Sequence, residues 1–377
     1  MYDAIVIGGG IVGASAAYHL VCAGAKTLLI DRADTGWATN AGAGILAPAV
    51  GGIGIDPVWF DFAVEAVGYY PALVEQLQAR QDEETGYAVC GMLTVAVTED
   101  EVEPYERKKQ EIEARQASLG VPGAGAISEI SSGEAQALFP VLAPVRRALY
   151  YRDAARVDGK MITGAMRVAA RHHKLVEKHA SADQLIIDSG KMTGVIANGE
   201  RIAAGKFVIA GGAWSQMFGD QLGVQIAVEP QRGQIAHLHL PETETGRWPI
   251  VEAFHGHYIV CWPDNRVVTG ATREIGSGFK PYTTVTGVRE VMDEALRVAP
   301  GLCDAQVKEI RVGLRPYTQD HLPVLGTVPN VEGVFLATGH GPTGLQLGPY
   351  SGKLAADWVL GKTIETDISA FSVNRFD

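Results

Sequence analysis

Cysteine is scarce in this chain: four residues, at positions 22, 90, 261 and 303, among 377. Their spacing offers neither a paired metal-ligand motif nor a dense disulfide framework, so a reducing compartment is expected. Positive charge is also in deficit. Lys and Arg number 32 against 43 Asp and Glu, a net charge of −11. The resulting field repels polyanions, which disfavours nucleic acid and anionic membrane surfaces as partners. Long apolar runs are missing too. One long uncharged stretch, 36–55, is broken by Pro48 and several glycines and carries Thr39 and Asn40, so it reads as a loop and not as a membrane span. No internal repeat or low-complexity tail stands out. What remains is 47% apolar residues, enough core for about two domains and suited to small-molecule chemistry. The chain opens directly in a strand pattern, so no signal peptide is expected, and the expected location is cytoplasmic.

Glycine, by contrast, is abundant and placed. Residues 3–31 read as a strand (Asp3-Ala4-Ile5-Val6-Ile7), a glycine turn (Gly8-Gly9-Gly10-Ile11-Val12-Gly13), an Ala-rich helix, and a second strand (Lys26-Thr27-Leu28-Leu29-Ile30) that ends on Asp31. A pyrophosphate sits against backbone N–H groups at a helix N-terminus, so side chains must be absent where the two meet. Gly8 permits the tight turn, Gly10 the phosphate approach, and Gly13 close packing of helix on sheet. Asp31, eighteen residues after Gly13, is placed to accept bonds from a ribose hydroxyl. The segment therefore predicts a dinucleotide site.

Further along, Asp56-Pro57 predicts an N-cap and first-turn proline for a helix reaching about Arg80. Alternation over Tyr87 to Val97 predicts strands, and 99–118 a charged helix. Ser131-Ser132-Gly133-Glu134 reads as a capping box. Residues 159–173 look helical, 175–179 and 185–187 extended, and 195–203 a hairpin about Asn198-Gly199. Phe207 to Ile209 predicts a buried strand meeting the Gly211-Gly212 turn. Residues 225–285 are strand-rich, 286–299 helical, and 350–360 helical. Nucleotide-fold pieces at both ends, interrupted by alternating segments, predict a discontinuous architecture: 1–80, 140–220 and 305–377 for nucleotide binding, 81–139 and 221–304 for substrate.

A second glycine cluster runs Ala337-Thr338-Gly339-His340-Gly341-Pro342-Thr343-Gly344-Leu345-Gln346. Upstream of it stands Val312-Gly313-Leu314-Arg315-Pro316-Tyr317. Together with the N-terminal fingerprint, the segments 40–48 and 210–215, and the ending Phe371-Ser372-Val373-Asn374-Arg375-Phe376, these resemble the FAD-dependent D-amino-acid-oxidase superfamily, closest to its glycine oxidase and sarcosine oxidase branch. The resemblance implies an α/β fold: a Rossmann-like FAD-binding domain of the glutathione-reductase type, with a β-rich α+β substrate domain inserted discontinuously.

It also implies noncovalent FAD. Sarcosine oxidases attach flavin through a cysteine near Leu314 or Arg315, and none is present. By similarity Ile11, Val12, Asp31 and Arg32 follow the ADP half. Ala38, Thr39, Ala43, Gly44 and Ile45 follow the pyrophosphate and flavin, with Gly211 in the central glycine turn, and Val176 meets adenine through its backbone. Gly339, His340, Gly341, Pro342, Thr343, Gly344, Leu345 and Gln346 lie at the flavin pyrimidine, where a helix N-terminus stabilises negative charge. Arg315 corresponds to the arginine that holds the substrate carboxylate, and Tyr258 to a tyrosine over the substrate. The chain also departs from the pattern. Pro342 replaces an arginine of glycine oxidases, leaving room for a bulkier or secondary amine, and Val268 stands where sarcosine oxidases carry a lysine that promotes oxygen reaction.

The expected reaction is oxidation of the C–N bond of a small amino acid or N-alkyl amino acid by hydride transfer to flavin N5, the imine then being hydrolysed. The electron acceptor is O2 or an electron-transfer partner, and an oligomer is compatible. Two other readings stay open. A 2-hydroxy-acid dehydrogenase would need a base such as His255, His257 or His340. A flavin subunit of a larger amino-acid dehydrogenase complex would expose an apolar patch. The histidine pairs 172/173, 237/239 and 255/257 form no recognisable metal set.

Overall fold

The computed structural model describes residues 1–51 and 57–376. Among them are two eight-stranded sheets and a small three-stranded one. The first sheet has a parallel core: Val176–His179, Thr27–Asp31, Tyr2–Ile7, Glu200–Ile209 and Val331–Thr338 lie side by side in that order. Its central strands are near-continuous apolar runs because both faces are covered. Helices Ile11–Cys22, Gly159–His172 and Gly344–Val359 pack on one side with Val6, Leu29, Val208 and Phe335. On the other side lie Ile5, Ile7, Phe207 and Ile209, joined by the antiparallel strands Ala182–Asp188 and Lys191–Ala197. The hairpin about Asn198-Gly199 forms as expected. Both residues take positive φ, 51° and 78°, which matches the strand twist in a two-residue turn.

The second sheet runs in the order Gln306–Tyr317, Glu229–His239, Arg266–Gly270, Tyr258–Cys261, Ile250–Ala253, Met92–Ala96, Arg147–Tyr151, Ile127–Glu129. Helix Val285–Val298 packs on it, burying Val291, Ala295 and Val298. The mixed α/β organisation follows the expectation, but two strands change sides. Arg147–Tyr151 and Gln306–Tyr317, assigned by sequence to the nucleotide-binding ranges, hydrogen-bond in the second sheet. The cause is pairing: 306–317 is matched along nearly its whole length by 229–239.

Two helices differ from expectation. The helix foreseen to Arg80 is two, Pro57–Gly68 and Tyr70–Gln78. Pro71 has no N–H to offer the first helix and opens the second, where that donor is not needed. The expected cap at Asp56 lies outside the described residues. The C-terminal helix begins at Gly344, not 350, and carries Pro349 inside it. Proline there deprives the Leu345 carbonyl of its helical donor. The Tyr70 hydroxyl replaces it, and the Pro349 carbonyl in turn accepts from Ser15 Oγ at 2.6 Å. The capping box at Ser131 and Glu134 is present as read. Among the described residues no helix is long and apolar enough to cross a membrane.

Candidate active site

One elongated cavity runs past the C-terminal ends of the parallel strands and under the second sheet. Such a crevice is where open α/β sheets bind ligands. At one end the strand Tyr2–Ile7 turns into helix Ile11–Cys22 through Gly8, Gly9 and Gly10. Gly8 has φ 103°, and a Cβ there would overlap the Ala210 carbonyl. A Cβ at Gly13 would overlap the Gly8 carbonyl oxygen, so Gly13 supports the turn from outside the cavity wall. Asp31 accepts from the Gly9 N–H and, at 2.5 Å, from the Ala33 N–H, which holds its carboxylate at the cavity edge beside Arg32. Arg32 pairs with Asp34 at 2.6 Å and lies over the Trp214 ring. Thr39 Oγ1 accepts from the Ile11 N–H at 3.1 Å, joining the 38–41 turn to the helix N-terminus.

Ala38, Thr39, Ala43, Gly44, Ile45 and Gly211 line the cavity with Ile11 and Val12. Gly44 has φ 80°, and a side chain there would overlap the Val157 carbonyl. Val176 does not reach the cavity. It is 42% exposed on strand Val176–His179, while Ala180, Ser181 and Ala182, just beyond that strand, form the wall. The strand's C-terminal end meets the crevice, and 180–182 carry no motif.

From the opposite end come His340, Gly341, Pro342, Gly344, Leu345 and Gln346, at the N-terminus of helix Gly344–Val359. Gln346 Oε1 accepts from the Ala47 N–H at 3.3 Å. Gly339 and Thr343 lie behind this wall. Gly339 has φ 72° against Thr318 and Val324, and Thr343 Oγ1 closes the turn on the His340 carbonyl at 2.8 Å. These features form a cradle in which backbone replaces side chain, with a carboxylate at one end and a helix N-terminus at the other. FAD fits that arrangement.

The second sheet supplies the third wall. Strand Gln306–Tyr317 carries Arg315 into the cavity, and Tyr258 reaches it from strand Tyr258–Cys261. Arg315 Nη1 donates to the Thr272 carbonyl at 2.9 Å and to Gln231 Oε1 at 3.3 Å, and the Tyr258 phenol lines the same chamber. Burial pushes Arg315 below the ordinary arginine range, although guanidinium remains a cation. Burial likewise raises Tyr258, against the pull of Arg315 and Arg273, so it stays a phenol. The strand is fixed on its other edge as well: the Leu314 N–H donates to the Gly36 carbonyl at 2.9 Å. Arg273, which the sequence reading missed, lines the same chamber. The pairing of Tyr258 with Gly270 across a hairpin was the signal that brings residue 273 beside 256–258.

The histidines separate cleanly. His255 pairs with Glu294 at 3.0 Å, and His257 Nδ1 lies 3.0 Å from the His255 carbonyl; neither lines the cavity. His340 does, but its Nε2 is engaged by Ser351 Oγ at 2.9 Å and burial pushes it down to about 4. Among the described residues no cluster of His, Cys, Asp or Glu could hold a metal ion.

The chain matches the family described as FAD dependent oxidoreductase over residues 3–358. It is 36% identical to an uncharacterized oxidoreductase, YurR, of Bacillus subtilis strain 168, with 98% of each chain covered. Its fold superposes with a TM-score of 0.93 on iminodiacetate oxidase (IdaA) from Chelativorans sp. BNC1, at 36% identity and 98% coverage of both chains. Glycine oxidase from Geobacillus kaustophilus follows at 0.89 and 28%, covering 99% of this chain and 98% of that one. Glycine turn, acidic strand end and C-terminal helix entry thus converge with these likenesses on one conclusion: the chain belongs to the FAD-dependent oxidoreductases of the D-amino-acid-oxidase family.

Proposed function

We propose that this enzyme oxidises the carbon–nitrogen bond of a small amine that bears a carboxylate. The observation that carries this reading is Arg315: a guanidinium inside the cavity, beside the Tyr258 phenol, with no ion-pair partner among the described residues. Guanidinium geometry suits a carboxylate, which it grips through two parallel N–H donors. FAD, held by the glycine turn, Asp31, Thr39 and the 340–346 loop, would supply the hydride acceptor at its N5. Arg315 then anchors the substrate and fixes which C–H bond faces inward, and Tyr258 donates a hydrogen bond above it. Positioning of this kind accelerates without a proton-transfer group. The imine product is hydrolysed by water, and electrons leave to O2 or to an electron-transfer acceptor.

The histidine placement favours an amine over a 2-hydroxy acid. Oxidising a hydroxyl carbon requires a base for the O–H proton. His255 and His257 point elsewhere, and His340 is bonded to Ser351. Relatives named for glycine and for iminodiacetate fit the amine reading. Anaerobic mixing of the holoenzyme with sarcosine, glycine, proline, iminodiacetate, D-amino acids and 2-hydroxy acids tests it. Bleaching of the flavin by one or more of the amines is expected, and bleaching by hydroxy acids alone overturns it. Readmitting air shows whether O2 is the acceptor.

A further inference from the structure

Arg315 is not the only cation in the substrate chamber. Arg273 follows the strand Arg266–Gly270 by three residues and lines the same cavity as Arg315 and Tyr258. It is held in place. Its Nη1 donates to the Gly256 carbonyl at 2.7 Å, in the turn that leads into Tyr258. Gly256 has φ 78°, and a side chain there would press on that guanidinium. The two arginines are also tied through the backbone, since Arg315 donates to Thr272, the residue before Arg273.

Neither guanidinium has a carboxylate partner among the described residues. The nearest acid in sequence, Glu274, is bound to Arg232 at 2.5 Å, to Gln234 at 2.6 Å and to Thr272 at 2.8 Å. The acids on the cavity wall, Asp31 and Asp34, belong to the glycine-turn end. Two like charges facing one chamber repel each other, so an anion between them lowers the energy of both. One carboxylate on Arg315 leaves Arg273 unanswered. The other cation on the cavity lining, Arg32, is paired with Asp34 at 2.6 Å at the glycine-turn end, and Pro342 brings no charge.

We propose that Arg273 is a second carboxylate anchor, so that the amine oxidised here carries two carboxylates, one for each guanidinium. This rests on the amine-oxidation reading above and narrows it to amino or imino dicarboxylates. Arg315, half-buried, fixes the carboxylate next to the reacting carbon. Arg273, exposed at the chamber mouth, takes the carboxylate beyond the nitrogen. Its greater exposure to water and salt makes it the weaker of the two anchors.

The test uses the FAD-loaded protein and two redox-inert acids: thiodiacetate, which places two carboxylates about a sulfur, and (methylthio)acetate, which has one. Binding is read by the flavin difference spectrum and by calorimetry. Thiodiacetate is expected to bind at least about 10-fold tighter in the unaltered protein, and Arg273→Gln is expected to erase that preference. Arg273→Lys restores part of it. In turnover, Arg273→Gln lowers the ratio of kcat/KM for iminodiacetate to that for sarcosine by about 10-fold or more. Equal affinity for the two inert acids, or an equal loss for both in Arg273→Gln, overturns the proposal. Failure of the amine reading is a separate result, namely no bleaching by any amine whatever the binding preference.

Discussion

Gly233 makes room for Arg315. The two lie on paired strands, Gly233 opposite Gly313 and Arg315 opposite Gln231, and a Cβ on Gly233 would fall within the Arg315 guanidinium. Replacement by alanine forces that end of a flexible side chain to swing aside, without a clash against backbone. Gly233→Ala is therefore expected to raise KM for carboxylate amines by about 10-fold while the unfolding free energy stays within about 0.5 kcal/mol of the parent. Steady-state kinetics beside urea denaturation separates the two effects.

Arg315→Ala removes the anchor itself. We expect KM to rise by about 100-fold with flavin content preserved, the loss corresponding to a charge-assisted bidentate contact of about 2–3 kcal/mol. Arg315→Lys keeps the charge without the fork and recovers only part. An unaltered KM for every carboxylate substrate would remove Arg315 from this role.

Gly13 has a different sensitivity. Its missing side chain lets helix Ile11–Cys22 begin directly over the Gly8 carbonyl, and both colliding atoms belong to backbone. Gly13→Ala must displace the turn that receives the pyrophosphate. The purified variant is expected to carry about 10-fold less FAD at equal concentration, measured as the ratio of flavin to protein absorbance.

Tyr70→Phe strips the Leu345 carbonyl of the donor that compensates Pro349. A buried acceptor left without a partner costs about 1–3 kcal/mol, so the urea midpoint should fall by that equivalent. Restoring the helical donor by Pro349→Ala in the same chain should return most of the loss, and a double-mutant cycle would show strong coupling.

Acid should weaken the fold before carboxylates protonate. Burial pushes His19, His237 and His340 down to about 4 from an ordinary 6.5. Between those values the unfolded chain takes up protons that the folded chain refuses. Stability is thus full above about pH 6.5 and declines as pH falls toward 4, by up to about 1.4 kcal/mol per pH unit for each histidine. His237, whose ring nitrogens have no hydrogen-bond partner, is the cleanest probe. His237→Leu should flatten the slope by about one proton in urea titrations at three pH values.

Features fixed by near neighbours in the chain were readable from it. The Gly8 to Gly13 turn, the Asn198-Gly199 hairpin and the Ser131 capping box each need particular residues at short range, and each formed as read. What escaped depends on pairing between distant segments. Nothing within 306–317 says that it will lie along 229–239. Pro349 reads as a helix start unless the Tyr70 hydroxyl, 279 positions away, is known to compensate it. Ala180, Ser181 and Ala182 reach the cavity through the position of a strand end, with no distinctive chemistry of their own. Arg273 is an ordinary arginine until hairpin register sets it beside Gly256.

The bond from Leu314 to Gly36 has an evolutionary corollary. It staples the anchor-bearing strand to the same turn that borders the cofactor groove, so an insertion in that turn would shift both ligands at once. A change of side chain at the inner anchor leaves this backbone bond in place, whereas a change in the length of the turn reaches the anchor and the cofactor groove together.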